Sequence, residues 1–176
     1  MAGIDSSRKF IPVQIAILTV SDTRTLETDT SGKILADRAE QAGHRVTTRA
    51  LLPDNQAQLE NQLNTWVADP QIDVVISTGG TGVTGRDITP EAFAAVWEKE
   101  IPGFGELFRS LSYPLIGTST IQSRACAGVA SGTFLFALPG SNGACRDGWD
   151  QILQYQLDNR YRPCNFVELL PRLLER

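Results

Sequence analysis

The amino-acid sequence predicts an α/β protein with three layers, in which a mostly parallel sheet carries helices on both faces. Three observations favour this fold class. Short, β-branched apolar runs alternate with segments of helical periodicity, the runs are nearly continuous, and no internal repeat or low-complexity linker divides the chain. Nearly continuous apolar strands are typical of parallel sheets that are covered on both faces. The length suits one domain spanning residues 1–176.

The first half of the chain alternates between predicted strands and helices. Gly43 and Pro70 each follow an apolar helical stripe and supply the expected helix ends. Pro53-Asp54 closes the second strand, as Ser21-Asp22 closes the first. The predicted elements are, in order, a strand over residues 13–20, a helix over 30–42, a strand over 44–52, a helix over 55–69 and a strand over 72–78.

The second half is less regular, and residues 114–131 receive no assignment. Thr89 is the predicted N-cap of a helix that has Pro90 at its first position. We expect residues 1–11 to form a flexible N-terminal segment and residues 160–176 to form a tail that wraps another surface or subunit. The remaining predicted elements are a helix over residues 104–113, a strand over 133–138 and a helix through Trp149, Ile152, Leu153 and Leu157.

The loop after the third predicted strand carries the most specific chemical signal. Residues 78–87 contain four glycines and three threonines, and they end on Asp87 just before the predicted helix. Such a loop presents backbone N–H groups and hydroxyls to an anion, and Asp87 brings a metal-binding charge to the same place. The loop therefore predicts a phosphate-bearing substrate together with a divalent cation.

Two known phosphate-binding motifs match parts of this loop without fitting it. Gly80, Gly82 and Gly85 agree letter for letter with the GxGxxG fingerprint of dinucleotide-binding folds. In that fingerprint the helix opens within the glycines after the first strand, whereas here it opens after Asp87 and the strand is the third. A Walker A loop needs Gly-Lys-Ser/Thr after the glycines, and none follows. We therefore expect neither NAD binding nor Walker-type binding.

Polar loops also follow three other predicted strands. In open parallel sheets, ligands bind outside the carboxyl ends of the strands. Ser21-Asp22, Pro53-Asp54 and residues 139–143 should therefore gather beside residues 79–87, which are called the glycine loop below. Each of these segments alone is an ordinary turn sequence. Their shared position is what predicts a site.

Charge and composition exclude several kinds of partner. A net charge of −4 without a run of Lys or Arg argues against nucleic acid, and no apolar run is long enough to span a bilayer. Cys126, Cys145 and Cys164 lie too far apart for a CxxC motif, which predicts reduced thiols in a cytoplasmic protein. His44, the only histidine, is expected to have a surface or structural role.

Several segments together resemble the MogA/MoaB family of molybdenum cofactor biosynthesis proteins, which includes the G domain of gephyrin. The resemblance covers about residues 13–157. The family signature is matched by Thr78-Gly79-Gly80-Thr81-Gly82 and Arg86-Asp87-Ile88-Thr89-Pro90-Glu91-Ala92. The segments typical of the MoaB branch are Gly103-Phe104-Gly105-Glu106, Gly117-Thr118-Ser119-Thr120-Ile121-Gln122-Ser123-Arg124 and Arg162-Pro163-Cys164-Asn165-Phe166.

The resemblance implies a molybdopterin adenylyltransferase, with ATP and molybdopterin as substrates and Mg²⁺ as cofactor. Such an enzyme joins the terminal phosphate of molybdopterin to the AMP part of ATP and releases pyrophosphate. Asp54 and Asp87 match the family's two essential aspartates and would be the catalytic and metal-binding residues. The residues implied to bind substrate are Ser21, Asp22, Thr78, Gly79, Gly80, Thr81, Gly82, Ser123, Arg124, Pro139, Gly140 and Ser141.

Two other functions stay open at this point. The chain could be a catalytically silent molybdopterin-binding or scaffold protein of the same pathway, or a generic nucleotide-binding domain. Asp54 is present, which favours an active enzyme.

The resemblance also implies a homotrimer or homohexamer, and contacts with other enzymes of the pathway. We expect Phe104, Leu107, Phe108 or Leu111 at a subunit interface, because residues 101–113 are unusually apolar.

Overall fold

A computed structural model describes residues 1–175 of the chain. The strands are β1 (Gly3–Ile4), β2 (Gln14–Val20), β3 (Arg45–Leu52), β4 (Val74–Thr78), β5 (Lys99–Glu100), β6 (Cys126–Ala130), β7 (Thr133–Leu138) and β8 (Tyr161–Arg162). The α-helices are α1 (Thr30–Gln41), α2 (Gln56–Val67), α3 (Thr89–Val96), α4 (Pro102–Ile116), α5 (Asn142–Gly148) and α6 (Gln154–Gln156). Two 3₁₀ helices and one π-helical turn complete the structure, at Gly117–Gln122, Val167–Arg172 and Trp149–Leu153.

The central sheet has the strand order β3-β2-β4-β7-β6-β5. Its first four strands are parallel, and β6 runs antiparallel to both of its neighbours. Alternate residues of each central strand point to opposite faces. Ile15 and Ile17 share a core with residues of α1 and α4, whereas Ala16 and Leu18 share another with residues of α2 and α3. The predicted three-layer α/β fold, with a mostly parallel sheet, is confirmed.

Helices α1, α2 and α5 begin after polar residues whose side chains accept hydrogen bonds from free N–H groups of the first turn. Asp29 caps α1 and Asn55 caps α2, each by accepting a hydrogen bond from the N–H three residues further on. The sequence predicts Thr89 as the cap of α3, but Thr89 is the first residue of that helix. Its hydroxyl instead donates to the carbonyl of Gly79 at 2.9 Å. This side chain therefore holds the glycine loop rather than the helix end.

The segment without a sequence-based assignment contains three elements. α4 continues through Pro114 as far as Ile116, the 3₁₀ helix Gly117–Gln122 follows, and β6 comes next. The sequence of β6, Cys-Ala-Gly-Val-Ala, consists mostly of small residues with low strand preference. Its strand structure comes from pairing with β7 in the sheet, which residue pattern alone does not reveal.

The two ends of the chain are fastened to each other and to the domain. β1, within the segment predicted to be flexible, pairs antiparallel with β8. The side chain of Asn159 bridges the segments, accepting from the N–H of Ile11 at 2.8 Å and donating to the carbonyl of Lys9 at 3.0 Å. The ring of Phe166 packs on that of Phe134, with centroids 4.7 Å apart. Of the two alternatives expected for the tail, another surface or a subunit, the structure shows the first, because the tail packs on a surface of its own domain.

The apolar residues predicted at a subunit interface divide into two groups. Phe104 and Phe108 are buried in the core of their own chain, so for them the interface expectation is wrong. Leu111 packs partly against the same core. Leu107 is 46% exposed and lies on the outer side of α4.

Within residues 1–175, no helix is long and apolar enough to cross a membrane.

His44 is buried just before β3 and has a structural role. Its Nδ1 accepts a hydrogen bond from the N–H of Val13 at 3.2 Å, and the rings of Phe10 and Trp149 pack around it. Burial lowers the pKa of His44 to about 4, because the imidazolium would lose its hydration, and the charge of Asp158 offsets this only in part. His44 is therefore a neutral part of the core near pH 7.

We predict that His44→Asn reduces the loss of stability in acid. The pKa of His44 is 6.5 when unperturbed and about 4 in the fold, so the unfolded chain takes up this proton first. The neutral imidazole therefore stabilises the fold fully above pH 6.5. That contribution, on the order of 2 kcal/mol, is lost as pH falls toward 4. Urea unfolding between pH 7 and 4.5 should show a smaller decline for His44→Asn, and equal declines would contradict this role.

Candidate functional site

The loops that follow β2, β3, β4 and β7 meet at the carboxyl edge of the sheet and line one open cleft of about 720 Å³. The structure thus brings together the four polar loops that the sequence places at this edge. The lining residues from these loops and from α5 are Val20, Ser21, Asp22, Thr23, Arg24, Asp54, Gly79, Gly80, Thr81, Gly82, Arg86, Asp87, Pro139, Gly140, Ser141, Gly143, Ala144 and Asp147.

The glycine loop leaves β4 in close contact with its neighbours. Gly79 donates its N–H to the carbonyl of Leu138 at 3.0 Å, and Gly80 accepts from the N–H of Thr89 at 3.0 Å. Gly80 has a φ of +64°, and a Cβ there would lie 2.3 Å from the Thr89 hydroxyl and 2.9 Å from Oδ1 of Asp54. Only glycine fits this backbone without moving its neighbours. The loop therefore offers bare backbone to a ligand in the cleft.

Four carboxylates line the cleft, and three of them, Asp22, Asp54 and Asp87, lie in the loops that follow β2, β3 and β4. Burial, followed by the negative charge of Asp22, raises the pKa of Asp54. Thr84 holds the carboxylate of Asp87, to which it donates its hydroxyl at 2.6 Å and its backbone N–H at 2.8 Å, and these bonds lower the pKa of Asp87. Asp22 accepts from the guanidinium of Arg86 and from the N–H of Asp54, which lowers its pKa.

The carboxylates of Asp54 and Asp87 suit a divalent cation that takes its remaining ligands from the substrate. A Cβ on Gly80 would lie 2.9 Å from Oδ1 of Asp54, and a Cβ on Gly82 would lie 2.8 Å from Oδ2 of Asp87. The two side chains thus flank the same short stretch of backbone. Among the described residues, no group of three or more His, Cys, Asp or Glu side chains forms a ready metal cage. Mg²⁺ commonly binds to one or two carboxylates and takes its other ligands from substrate phosphates and water.

Two arginines supply positive charge to the same cleft. Arg24 donates to the hydroxyl of Ser31 at 2.5 Å and to the carbonyl of Gly140 at 3.5 Å, with the buried carboxylate of Asp29 3.9 Å away. Arg86 pairs with Asp22 at the surface. Sequence patterns do not distinguish an arginine that lines a cleft from a basic residue on the solvated surface. Lys33 is an example of a basic residue on the surface. It pairs with Asp37 on the exposed face of α1.

Most of the residues predicted to bind substrate or metal lie in the cleft, but two do not. The hydroxyl of Thr78 is buried and donates to the carbonyl of Pro139 at 3.0 Å. Arg124 lines a separate hollow behind the glycine loop. The predicted residues that line the cleft are Ser21, Asp22, Asp54, Gly79, Gly80, Thr81, Gly82, Asp87, Ser123, Pro139, Gly140 and Ser141.

One wall of the cleft is absent from the sequence-based prediction. It is built by the second half of α4 and by the 3₁₀ helix Gly117–Gln122. The sequence predicts only a helix for the first of these and gives the second no assignment. A weak signal exists, because Ser112 interrupts the apolar face of α4 and a polar run follows Gly117. The residues of this wall are Phe108, Ser112, Ile116, Ser119, Thr120 and Gln122.

Comparisons with known proteins agree on one family. A family model described as a probable molybdopterin binding domain matches residues 16–159. The chain is 52% identical over 160 residues to the molybdenum cofactor biosynthesis protein B of Escherichia coli strain K12, covering 91% of this chain and 94% of that protein. Two crystal structures are also similar. One, of a molybdenum cofactor biosynthesis protein B, has a TM-score of 0.86 and 36% identity, covering 96% of this chain and 100% of that chain. The other is of the tungsten cofactor synthesizing protein MoaB from Pyrococcus furiosus. It has a TM-score of 0.72 and 33% identity, covering 81% of this chain and 91% of that chain.

We predict that Gly80→Ala weakens phosphate binding in the cleft by about tenfold or more. The new methyl group would collide with Thr89 and Asp54 and would favour a different φ. Gly85→Ala is the matched control in the same loop, because a Cβ there meets nothing within 4 Å. Calorimetric titration with magnesium pyrophosphate measures the difference. Equal affinity in folded Gly80→Ala would exclude the glycine loop from the site.

Proposed function

The chain belongs to the MogA/MoaB family of molybdenum cofactor biosynthesis proteins, and on that premise we propose that it is a molybdopterin adenylyltransferase. The terminal phosphate of molybdopterin attacks the α-phosphorus of ATP. A new phosphoanhydride bond to AMP forms, the bond to the β-phosphate breaks, and pyrophosphate leaves. We place this reaction in the cytoplasm, where the three unbridged cysteines would stay reduced.

The observation that supports this proposal best is the position of the Asp54 and Asp87 carboxylates beside Gly80 and Gly82 of the glycine loop. Bare backbone at these glycines can receive phosphate oxygens. Asp54 and Asp87 would hold Mg²⁺, which when bound would neutralise charge on the two polyanionic substrates and align them. The two aspartates thereby bring a cation to the part of the cleft that binds phosphate.

The arginines of the cleft would complete the binding of the polyphosphate. Arg24 is held in place by Ser31 and Asp29, so little side-chain entropy is lost when it contacts a phosphate. Arg86 can exchange the carboxylate of Asp22 for a phosphate oxygen, because both side chains lie at the surface. The positive charge of these arginines, placed beside the leaving pyrophosphate, would stabilise its developing negative charge and lower the barrier to its departure.

We also propose that the chain forms a closed homo-oligomer, a trimer or a hexamer. With Phe104 and Phe108 assigned to the core, a different set of apolar residues remains at the surface. They lie on α4 and on the 3₁₀ helix after it, a region named here the α4 patch. A concentration of exposed large apolar residues in one region is typical of interaction sites. The exposed residues of the patch are Leu107, Tyr113, Leu115, Ile116 and Ile121.

We predict that Asp87→Asn and Asp54→Asn each reduce adenylyl transfer by roughly 10²-fold or more, on the order of 3 kcal/mol of transition-state stabilisation. Asparagine keeps the size of the side chain and removes the charge that would hold Mg²⁺. Pyrophosphate release that depends on molybdopterin is the measurement. Asp37→Asn, on the exposed face of α1, is the matched control and should keep full activity.

The same assay separates the proposal from its two alternatives. Near-normal rates in both variants at saturating Mg-ATP would contradict the metal assignment. Tight pterin binding by the wild type without release of pyrophosphate would identify a catalytically silent binder or scaffold. Binding of plain nucleotides with no preference for molybdopterin would identify a generic nucleotide-binding domain.

For the assembly, we predict a mass of three or six times 19.2 kDa in light scattering at low micromolar concentration. Ile121→Asp should reduce that mass, because it puts a charge in the proposed interface at the α4 patch. Ile121 is 79% exposed in the single chain. Leu174→Asp, which changes an exposed leucine in the tail, is the matched control. A wild-type mass of 19.2 kDa would contradict the proposed oligomer.

A further inference from the structure

Arg124 lies against the glycine loop, in a second hollow that shares Ser123 with the cleft. It connects the 3₁₀ helix Gly117–Gln122 to β6, and it lines a hollow together with Glu91, Trp97 and Arg109. It is not among the residues that line the substrate cleft. The family resemblance implies that this arginine binds substrate, so its place in the structure requires a different explanation.

The polar groups of Arg124 bind one segment of the chain at four points. Its backbone N–H donates to the carbonyl of Thr81 at 2.9 Å. In the side chain, Nε donates to the carbonyl of Gly82 at 2.6 Å, and Nη2 donates to the carbonyl of Asp87 at 2.7 Å. Nη1 pairs with the carboxylate of Glu91 in the first turn of α3. All three guanidinium nitrogens are thus bound to protein.

The segment that carries Arg124 is itself held from behind by α4. Arg109 donates to the carbonyls on both sides of Arg124, those of Ser123 at 3.4 Å and Ala125 at 3.2 Å. α4 approaches this segment closely at Gly105, where a Cβ would lie 2.3 Å from the carbonyl oxygen of Ala125. A row of contacts therefore runs from α4 through Arg124 to the glycine loop.

We infer that Arg124 is a positioning residue for Asp87 rather than a ligand of the substrate. The carboxylate of Asp87 is held by Thr84, which lies within the same loop, so the bonds of Thr84 do not fix the loop relative to the domain. Thr89 fixes the start of the loop, at Gly79 and Gly80, and Arg124 fixes the rest, because it binds the carbonyls of Gly82 and of Asp87 itself. This inference rests on the proposed role of Asp87 at the metal.

The geometry requires arginine rather than any cation. The planar guanidinium presents several N–H groups in fixed directions and can bind two carbonyls and a carboxylate together. The ammonium of lysine is a compact charge on a flexible stem and cannot span these three acceptors at once. Arg124→Lys therefore keeps the charge but loses the bridge, whereas Arg124→Gln loses both.

Adenylyl transfer by Arg124→Lys and Arg124→Gln tests this inference. We expect kcat to fall about tenfold to a hundredfold in both variants, with the KM for molybdopterin and for Mg-ATP changed by no more than about threefold. Glu91→Gln should shift kcat in the same direction by less, because it leaves the two carbonyl bonds in place. Arg172→Gln, an exposed arginine paired with Glu175 in the tail, is the matched control and should behave as wild type.

A second measurement does not depend on activity. Amide hydrogen exchange of residues 82–88 should become about tenfold or more faster in Arg124→Gln, while exchange in β4 and β7 stays unchanged. If the wild type lacks adenylyl transfer, the proposed function fails, and exchange alone decides whether Arg124 holds the loop. A large rise in KM at unchanged kcat would make Arg124 a substrate ligand and overturn the inference. Unchanged exchange of residues 82–88 in folded Arg124→Gln would overturn it as well.

Discussion

The close packing of the glycine loop against the ends of β2 and α3 is the constraint on which the rest of the site depends. A Cβ on Gly79 would lie 2.1 Å from the carbonyl oxygen of Val20, so this backbone touches the end of β2 directly. Thr89 then binds the carbonyls of both Gly79 and Gly80 from the first turn of α3. Because Gly80 carries no side chain, its backbone is open to an anion in the cleft, and Asp54 can approach it from the loop after β3.

The electrostatics of the cleft follow from this packing. Parallel strands deliver their carboxyl-end loops to one edge, so Asp22, Asp54 and Asp87 arrive together from three different loops. Burial and like charge raise the pKa of Asp54, whereas hydrogen bonds lower the pKa of Asp22 and of Asp87. Arg24 and Arg86 stand in the same cleft. Such a mixture suits a reaction between two polyanions, which needs a cation and phosphate-binding donors in one place.

The sequence predicts the central strands and the meeting of the polar loops at the carboxyl edge, because both depend on local patterns. Apolar runs define the strands, and polar loops after them converge by topology alone. The errors concern long-range packing. β6 has too little strand preference to be recognised without its partner β7, and nothing local to Phe166 shows that it packs on Phe134. Phe104 likewise belongs to the core rather than to an interface. Arg124 is part of a family motif, but only the fold shows that it lines a second hollow and binds the backbone of the glycine loop.

The central claim is that Asp54 and Asp87 share one cation with the substrate phosphates beside the glycine loop. The most direct measurement is anomalous diffraction from crystals grown with Mn²⁺ and a non-hydrolysable ATP analogue, since Mn²⁺ takes the oxygen ligands that Mg²⁺ prefers and can be located by its signal. We expect an anomalous peak within coordination distance of both carboxylates and of a nucleotide phosphate. A nucleotide bound in the cleft with Mn²⁺ away from Asp54 and Asp87 would contradict the account.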